Sequence, residues 1–368
     1  MLVTPEIRNA HRATRPPAVR GVPASSVAFF SALHRSGVYS PLPHPVHARN
    51  ASLVDAWLQW GPQQLFHLDA FLRNSERRFP DNRDLINEAV RADPAHRSGQ
   101  VILPADRLDE IALMARVTAP LMFWSRANTI LELTPALEQW LVRSDLGADI
   151  PFDFLRPPAP ACFIRFGDHL QQAILPLQTD QGVFNRVDGA YVFESFRDGR
   201  RIVALLPVYA PACGAKGAGV GMFDMIVEDE ALPLVEAIKR IDHSNEFWQH
   251  SQSVAQLCVK VFLYLRAAQA QQVGENLYSK TLANLQRVGQ KKAAKVHRQL
   301  EKLYDRIILG PQTVAIHAHG EHGEVSPHWR RGHFRMQPHG RQNQLRKVLF
   351  IAPMLVRGDR LAQAPAEE

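Results

Sequence analysis

Residues 190–209 read AYVFESFRDGRRIVALLPVY. Two apolar runs, Ala190 to Arg197 and Arg201 to Tyr209, flank the pair Asp198-Gly199. Asp-Gly tolerates the positive φ that a tight turn needs, so the stretch predicts two antiparallel strands closed by a hairpin. Working outward, Ala161 to Phe166, Gln172 to Leu177 and Gly221 to Val227 are short and apolar, as further strands of a half-buried sheet would be. Upstream, Arg156-Pro157-Pro158-Ala159-Pro160 marks a boundary, because successive prolines suit neither a helix nor a strand ladder. Downstream the period lengthens to that of helices, at Leu232 to Ile241, Trp248 to about Ala270 and Leu277 to Ile308.

Before the boundary the pattern is helical from Ala51 to about Leu146. Val54, Trp57, Leu58, Leu65, Leu68 and Phe71 recur at three- and four-residue spacing, and so do Leu108, Ile111, Met114 and Val117. Thr134-Pro135 has the form of a helix start, an N-cap followed by proline in the first turn. The first 50 residues hold Pro16, Pro17, Pro41, Pro43 and Pro45, which argue against regular structure and predict a partly ordered basic arm. From Gln312 the chain turns back to strand, most clearly at Thr313 to His317 and Val348 to Ile351. The expected fold is α+β: an N-terminal helical domain, a central antiparallel sheet with packed helices, and a small basic β-rich C-terminal domain. The expected boundaries are an arm at 1–50, a helical domain at 51–155, an α+β domain at 156–274, a basic helical linker at 275–311 and the C-terminal domain at 312–368.

The whole chain of 368 residues is 46% hydrophobic and 21% charged, which excludes a disordered protein and suits two or three packed domains. Cys162, Cys213 and Cys258 are odd in number, far apart and free of any CxxC pair, so they predict a reducing cytoplasm rather than a disulfide scaffold. The most apolar stretch, Val254 to Ala270, is interrupted by Lys260 and Arg266 and falls short of a membrane span. Arg8, Arg12, Arg15 and Arg20 precede an apolar run, Val22 to Leu33, that lies too far in for a signal peptide.

The formal charge of +7 is unevenly spread. Between Val325 and Gly358 there is no Asp or Glu, while Arg330, Arg331, Arg335, Arg341, Arg346, Lys347 and Arg357 carry the equivalent of the whole excess. A second patch comprises Arg8, Arg12, Arg15, Arg20, Arg35 and Arg49 against Glu6. A third comprises Lys280, Arg287, Lys291, Lys292, Lys295, Arg298, Lys302 and Arg306 against Glu301 and Asp305. Local cation density of this kind suits a polyanion, since phosphate contacts and counterion release depend on it. For the third patch the plainer reading is a solvated helix face.

Three groups of residues offer chemistry. Gly214, Gly217, Gly219 and Gly221 lack the following helix and the Lys-Ser/Thr pair of a phosphate loop, and predict a flexible hairpin connection. His317 and His319 would share one face of a strand, and with His322 or His328 could hold a metal, but no cysteine or carboxylate sits at matching spacing. Metal and other cofactors are therefore not expected. The third group is Pro327-His328-Trp329-Arg330-Arg331-Gly332-His333-Phe334-Arg335. Arginine forks grip phosphate, aromatic and guanidinium planes stack on bases, and histidine donates to phosphate or moves protons near neutral pH. The predicted nucleic-acid contacts are His328, Trp329, Arg330, Arg331, His333, Phe334, Arg335, Arg341, Arg346 and Lys347. The same kit would serve a metal-independent ribonuclease with His328 and His333 as acid and base. It would also serve structure alone, with Trp329 and Phe334 as core and Gly332 as a turn.

Pro327-His328-x-Arg330-Arg331-Gly332-His333-aromatic resembles the C-terminal signature of the type V-A anti-CRISPR family that suppresses production of the CRISPR effector nuclease. The resemblance runs on through Gly340, Arg346-Lys347, the strand ending at Pro353, and Gly358. It implies a phage or plasmid protein working in a bacterial cytoplasm. Its implied partners are the nascent N-terminal polypeptide of the effector and the mRNA or translating ribosome, and its implied effect is loss of the message. The resemblance assigns no catalytic residue. A DNA-binding regulator of a mobile element is a further alternative, without a helix-turn-helix to support it.

Overall fold

The computed structural model describes residues 24–36, 40–64, 119–174, 186–197, 200–210, 219–220, 223–227, 229–241, 248–285, 287, 289–312 and 328–356. Helices α1 (Ala24–Ser36), α2 (His44–Asn50) and α3 (Leu53–Gln64) open the described chain. Helical residues 119–125 lead to strand β1 (Asn128–Leu133), helix α4 (Pro135–Val142), β2 (Ser144–Leu146), β3 (Ala161–Arg165) and α5 (Asp168–Ala173). Then come β4 (Arg186–Arg197), β5 (Arg200–Ala210), β6 (Gly219–Val220), β7 (Phe223–Val227), α6 (Leu234–Lys239) and α7 (Trp248–Arg266). The remainder is β8 (Gln272–Glu275), α8 (Leu277–Leu285), α9 (Gln290–Leu300), β9 (Arg306–Leu309), β10 (His328–Arg330), β11 (Gly332–His339), β12 (Leu345–Ile351) and β13 (Met354–Val356).

The hairpin on which the sequence reading turned supplies the two longest strands of the main sheet. β4 and β5 pair antiparallel from Arg186↔Ala210 to Arg197↔Arg200; Asp198-Gly199 lie outside the described residues. Strand order is β6-β5-β4-β3-β1-β9-β8, with β7 also on β5. The fold is α+β, but the sheet is mixed rather than antiparallel throughout: β1 runs parallel to both β3 and β9.

Both faces of this sheet are covered. Cys162, Ile164, Ala190, Val192, Val203 and Leu205 point into the main core, where α7 contributes Val254, Cys258, Val261 and Phe262. The alternate residues Phe163, Tyr191, Phe193, Ala204 and Leu206 pack with Phe123 and Val46 on the opposite face. Each such large apolar side chain contributes roughly 1.5–3 kcal/mol on burial. The buried thiols pack without pairing: Cys162 donates to the Ala159 carbonyl at 3.3 Å, and burial pushes its pKa up to about 12.

Two buried ionic side chains fasten connections to this core. Arg201 is 1% exposed and is held by Glu194, Glu230 and the carbonyls of Leu155 and Phe152, which tie β5 to the segment after β2. Glu138 on α4 accepts from the backbone N–H groups of Gly167 and His169, at 2.6 and 3.2 Å. It thereby caps α5 from a distance, and a Cβ on Gly167 would lie 2.4 Å from its carboxylate. Burial raises the carboxyl pKa of Glu138 above its ordinary value.

That cap explains one departure from the sequence reading: Gln172 and Ala173 close a helix rather than open a strand, and residues 175–177 lie outside the described chain. Three further corrections have similar causes. Residues 128–133, expected to be helical, form β1, because the strands that pair with it on either side, β3 and β9, come from residues remote in sequence. The long helix expected to reach Ile308 breaks at Gly289 and ends at Leu300; Arg306–Leu309 then pair with β1 and β8. In the arm expected to be irregular, α1 and α2 are present, and Pro45 fits α2 because it stands in its first turn. Thr134 caps α4 as its sequence predicts, accepting from Leu137 N at 3.2 Å. Residues 65–118 and Thr313 to His317 are outside the described residues. Among the described residues no helix is long and apolar enough to cross a membrane.

Candidate nucleic-acid interface

The basic C-terminal segment is built on a three-stranded sheet, β12-β11-β2, and a separate pair, β10-β13. β11 and β12 pair antiparallel from His333↔Ile351 to His339↔Leu345. β11 also runs parallel to β2, with Gly332↔Ser144, His333↔Asp145 and Phe334↔Leu146. This second pairing explains Gly332, whose added Cβ would meet Ser144 Oγ at 2.4 Å, the Ile351 carbonyl at 2.6 Å and Pro353 Cδ at 2.7 Å. At the far end Gly340 adopts φ 78°, a left-handed conformation that glycine takes at no steric cost, and starts the turn that presents Arg341.

Strand alternation divides the predicted contact residues. Phe334 is 0% exposed and stacks on Phe350, with ring centroids 4.6 Å apart, while Val348 packs beside them. Phe350 in turn meets Tyr264 of α7 at 5.6 Å and Trp140 of α4 at 6.2 Å. The apolar face of the segment thus joins the main core instead of closing one of its own. Phe334 is a core residue in this arrangement, packed away from the surface on which its exposed neighbours stand.

On the other face, Arg335 lies opposite Leu349 and Gln337 opposite Lys347. His328, Arg330, Arg331, Arg335, Arg341 and Arg346 are exposed; Trp329, His333 and Lys347 are half-buried. Trp329 carries the Arg143 guanidinium over its ring at 4.5 Å, so its indole already serves one cation. Arg331 meets Asp145 at 3.3 Å with side chains 77% and 60% exposed, an ion pair worth about 0–1 kcal/mol that leaves Arg331 able to exchange partners. The two candidate catalytic histidines are divided: His328 belongs to β10 and His333 to β11, in different sheets.

Sequence reasoning missed three supporting residues. Arg143 precedes, and Asp145 lies within, a strand of three residues, too short to carry a pattern. Lys260, from the middle of α7, is 7% exposed and donates to the Leu141 carbonyl at 2.9 Å. Burial pushes its pKa down to about 8; Asp145 opposes this and Arg331 adds to it. A lysine interrupting an apolar helix was the visible signal.

His317, His319 and His322 lie outside the described residues, as do Gly214 and Gly217. Gly219 pairs with Tyr209 on β5, in keeping with a hairpin connection. Among the described residues no group of three His, Cys, Asp or Glu is placed to hold a metal.

The family profile named AcrVA2-like, the anti-CRISPR type V subtype A2 family, matches residues 131–358, more than half of the chain. The chain belongs to this family. The matched stretch of the AcrVA2-like protein begins within β1 and includes the whole basic segment described above. Among solved structures, the crystal structure of AcrVA2 is similar at 15% identity and a TM-score of 0.46, covering 86% of this chain and 100% of that one. No curated protein matches the chain.

Proposed function

We propose that this AcrVA2-like protein is an anti-CRISPR that lowers production of a CRISPR effector nuclease in a bacterial cytoplasm. It recognises the effector's nascent N-terminal polypeptide through the sheet and helical surface. It causes loss of the translating mRNA, and the C-terminal basic segment contacts RNA or ribosome. Beyond family membership, one observation supports this reading. Within residues 328–356 Phe334, Val348 and Phe350 are drawn into the main core, while Arg330, Arg331, Arg335, Arg341 and Arg346 are exposed on a segment that contains no carboxylate. Such an array is fixed in place, and its ion pair between Arg331 and Asp145 is exposed and weak, which suits phosphate contacts.

Replacing Arg330, Arg331 and Arg335 together by Ala is expected to abolish binding to RNA or translating ribosomes, to flatten its salt dependence, and to restore effector mRNA in cells. Unchanged binding would refute the reading. The alternative to an adaptor is a metal-independent ribonuclease using His328 and His333. Incubating purified protein with RNA and EDTA separates the two: RNA stays intact for an adaptor, whereas cleavage lost on changing either histidine would establish the enzyme.

A further inference from the structure

The basic residues between Lys280 and Lys302 are not absorbed by the C-terminal segment. They lie on a helical hairpin, α8 packed against α9, that follows the edge strand β8. Residues 277–302 contain seven Lys or Arg and one carboxylate, Glu301. Lys280, Arg287, Lys292, Lys295, Arg298 and Lys302 are all exposed.

Their placement along α9 is regular. Lys292, Lys295 and Arg298 recur every third residue and form one stripe about 9 Å long. Ala293, Val296 and His297 are half-buried and Leu300 buried, which places the opposite side of the helix against the protein. The hairpin is also held firmly at its base. Arg49 of α2 donates to the carbonyls of Leu300 and Leu303, and its guanidinium lies 4.0 Å from the Tyr278 ring centroid on α8. Ser279 of α8 is bound to Asp305 through both its backbone and its hydroxyl.

The charge on α9 works against the helix that carries it. Like charges three and four residues apart each cost a few tenths of a kcal/mol. Lys291 and Lys292 stand in the first turn, where the helix dipole disfavours cations, and Gly289 at the N-cap supplies no side-chain cap. A surface helix selected for stability or solubility interleaves both signs; this one concentrates a single sign on one side. The arrangement is compensated when a polyanion covers the stripe.

We propose that the α8–α9 hairpin is a second RNA-binding surface, gripping the phosphate backbone without regard to base sequence through Lys292, Lys295 and Arg298, with Lys280, Arg287 and Lys302 alongside. It is separate from the C-terminal segment, so the two surfaces can engage different stretches of one RNA. RNA is the occupant that such a surface fits because a stripe of flexible cations matches the phosphate backbone, and Leu277, the exposed apolar side chain at the start of α8, lies outside the α9 stripe.

The test uses the full chain and a fluorescein-labelled mixed-sequence RNA of about 20 nucleotides, with anisotropy read between 50 and 200 mM salt. The variant K292A/K295A/R298A places the best helix former at each position, so helicity and Tm are retained or rise. Its RNA Kd is expected to rise at least tenfold at 100 mM salt, and the slope of log K against log salt to fall by about 2. K292R/K295R is expected to bind like the natural protein. An unchanged Kd and slope in the triple variant overturns the proposal, as does a natural protein that binds no RNA. Loss of binding to phosphatidylserine vesicles with RNA binding intact also overturns it, in favour of a membrane surface. If only R330A/R331A/R335A loses RNA, the hairpin proposal fails while the reading of the C-terminal segment stands; the converse result separates them in the other direction.

Discussion

Replacing Lys260 by methionine keeps most of the side-chain volume and removes a buried ammonium. The group is 7% exposed, makes one hydrogen bond, to the Leu141 carbonyl, and has its pKa pushed down from 10.5 to about 8 by burial. Below pH 8 it is protonated in both folded and unfolded chains, and the folded state bears the whole penalty of burying the charge. Between pH 8 and 10.5 the unfolded chain still holds a proton that the folded chain has released, so stability rises with pH. Above 10.5 both are neutral and the penalty is gone. A pKa of about 8 against 10.5 corresponds to about 3 kcal/mol. Setting against it about 1 kcal/mol for the lost hydrogen bond, Lys260→Met is expected to stabilise the protein by about 2 kcal/mol at pH 7. The assay is urea unfolding followed by tryptophan fluorescence, at pH 7 to 10 in both proteins. The thiols of Cys162 and Cys258, whose pKa values burial raises, give the opposite slope, because the unfolded chain ionises first. That contribution is common to both proteins, and their difference isolates Lys260. The expected gap narrows steadily above pH 8. A gap that stays constant from pH 7 to 10, or a variant less stable at every pH, would refute the reasoning.

Other outcomes follow from the packing. Gly332→Ala forces β11 away from β2 and β12, and is expected to cost about 1–3 kcal/mol and to weaken RNA binding although no cation is lost; unchanged urea midpoint and RNA Kd would show that the close approach is not needed. Phe334→Ala opens a cavity beside Phe350 and is expected to cost about 3–5 kcal/mol, read as a lowered urea midpoint; a residue that stacks on bases would change RNA affinity and leave stability alone. Arg201→Ala removes two ion pairs and the donor to the Leu155 and Phe152 carbonyls and is expected to cost about 3 kcal/mol, less than a fully buried pair would because Glu230 is 43% exposed and Glu194 keeps Arg156 at 3.8 Å; a loss below 0.5 kcal/mol in urea unfolding would contradict this.

What the sequence revealed was what local chemistry determines. The apolar runs of β4 and β5, the Thr-Pro start of α4 and the long period of α7 are each legible within a single stretch of chain. What it concealed were elements whose partners are remote. β1 looks helical until β3 and β9 are seen on either side, and β2 is three residues that mean nothing without β11. The candidate site shows the same division. The cation density of the C-terminal segment was evident from composition, and on β11 the exposed Arg335 stands where the alternation with the buried Phe334 places it. Composition could not say that Phe334 faces inward while His333 does not, since only the core packing tells the two faces of β11 apart. Nor could it separate His328 from His333, which differ by five positions but belong to different sheets.

The parallel pairing of Ser144–Leu146 with Gly332–Phe334 also sets a timetable for folding. The two strands are about 190 residues apart, and at about 5–20 residues per second the first waits about 10–40 s for the second to be synthesised. Contacts of such sequence separation are slow to form, and Phe334 and Phe350 leave the main core open until they arrive. The arginines of the C-terminal segment therefore gain their fixed positions only after nearly the whole chain has been made, so a prematurely terminated product would lack both a closed core and this cationic surface.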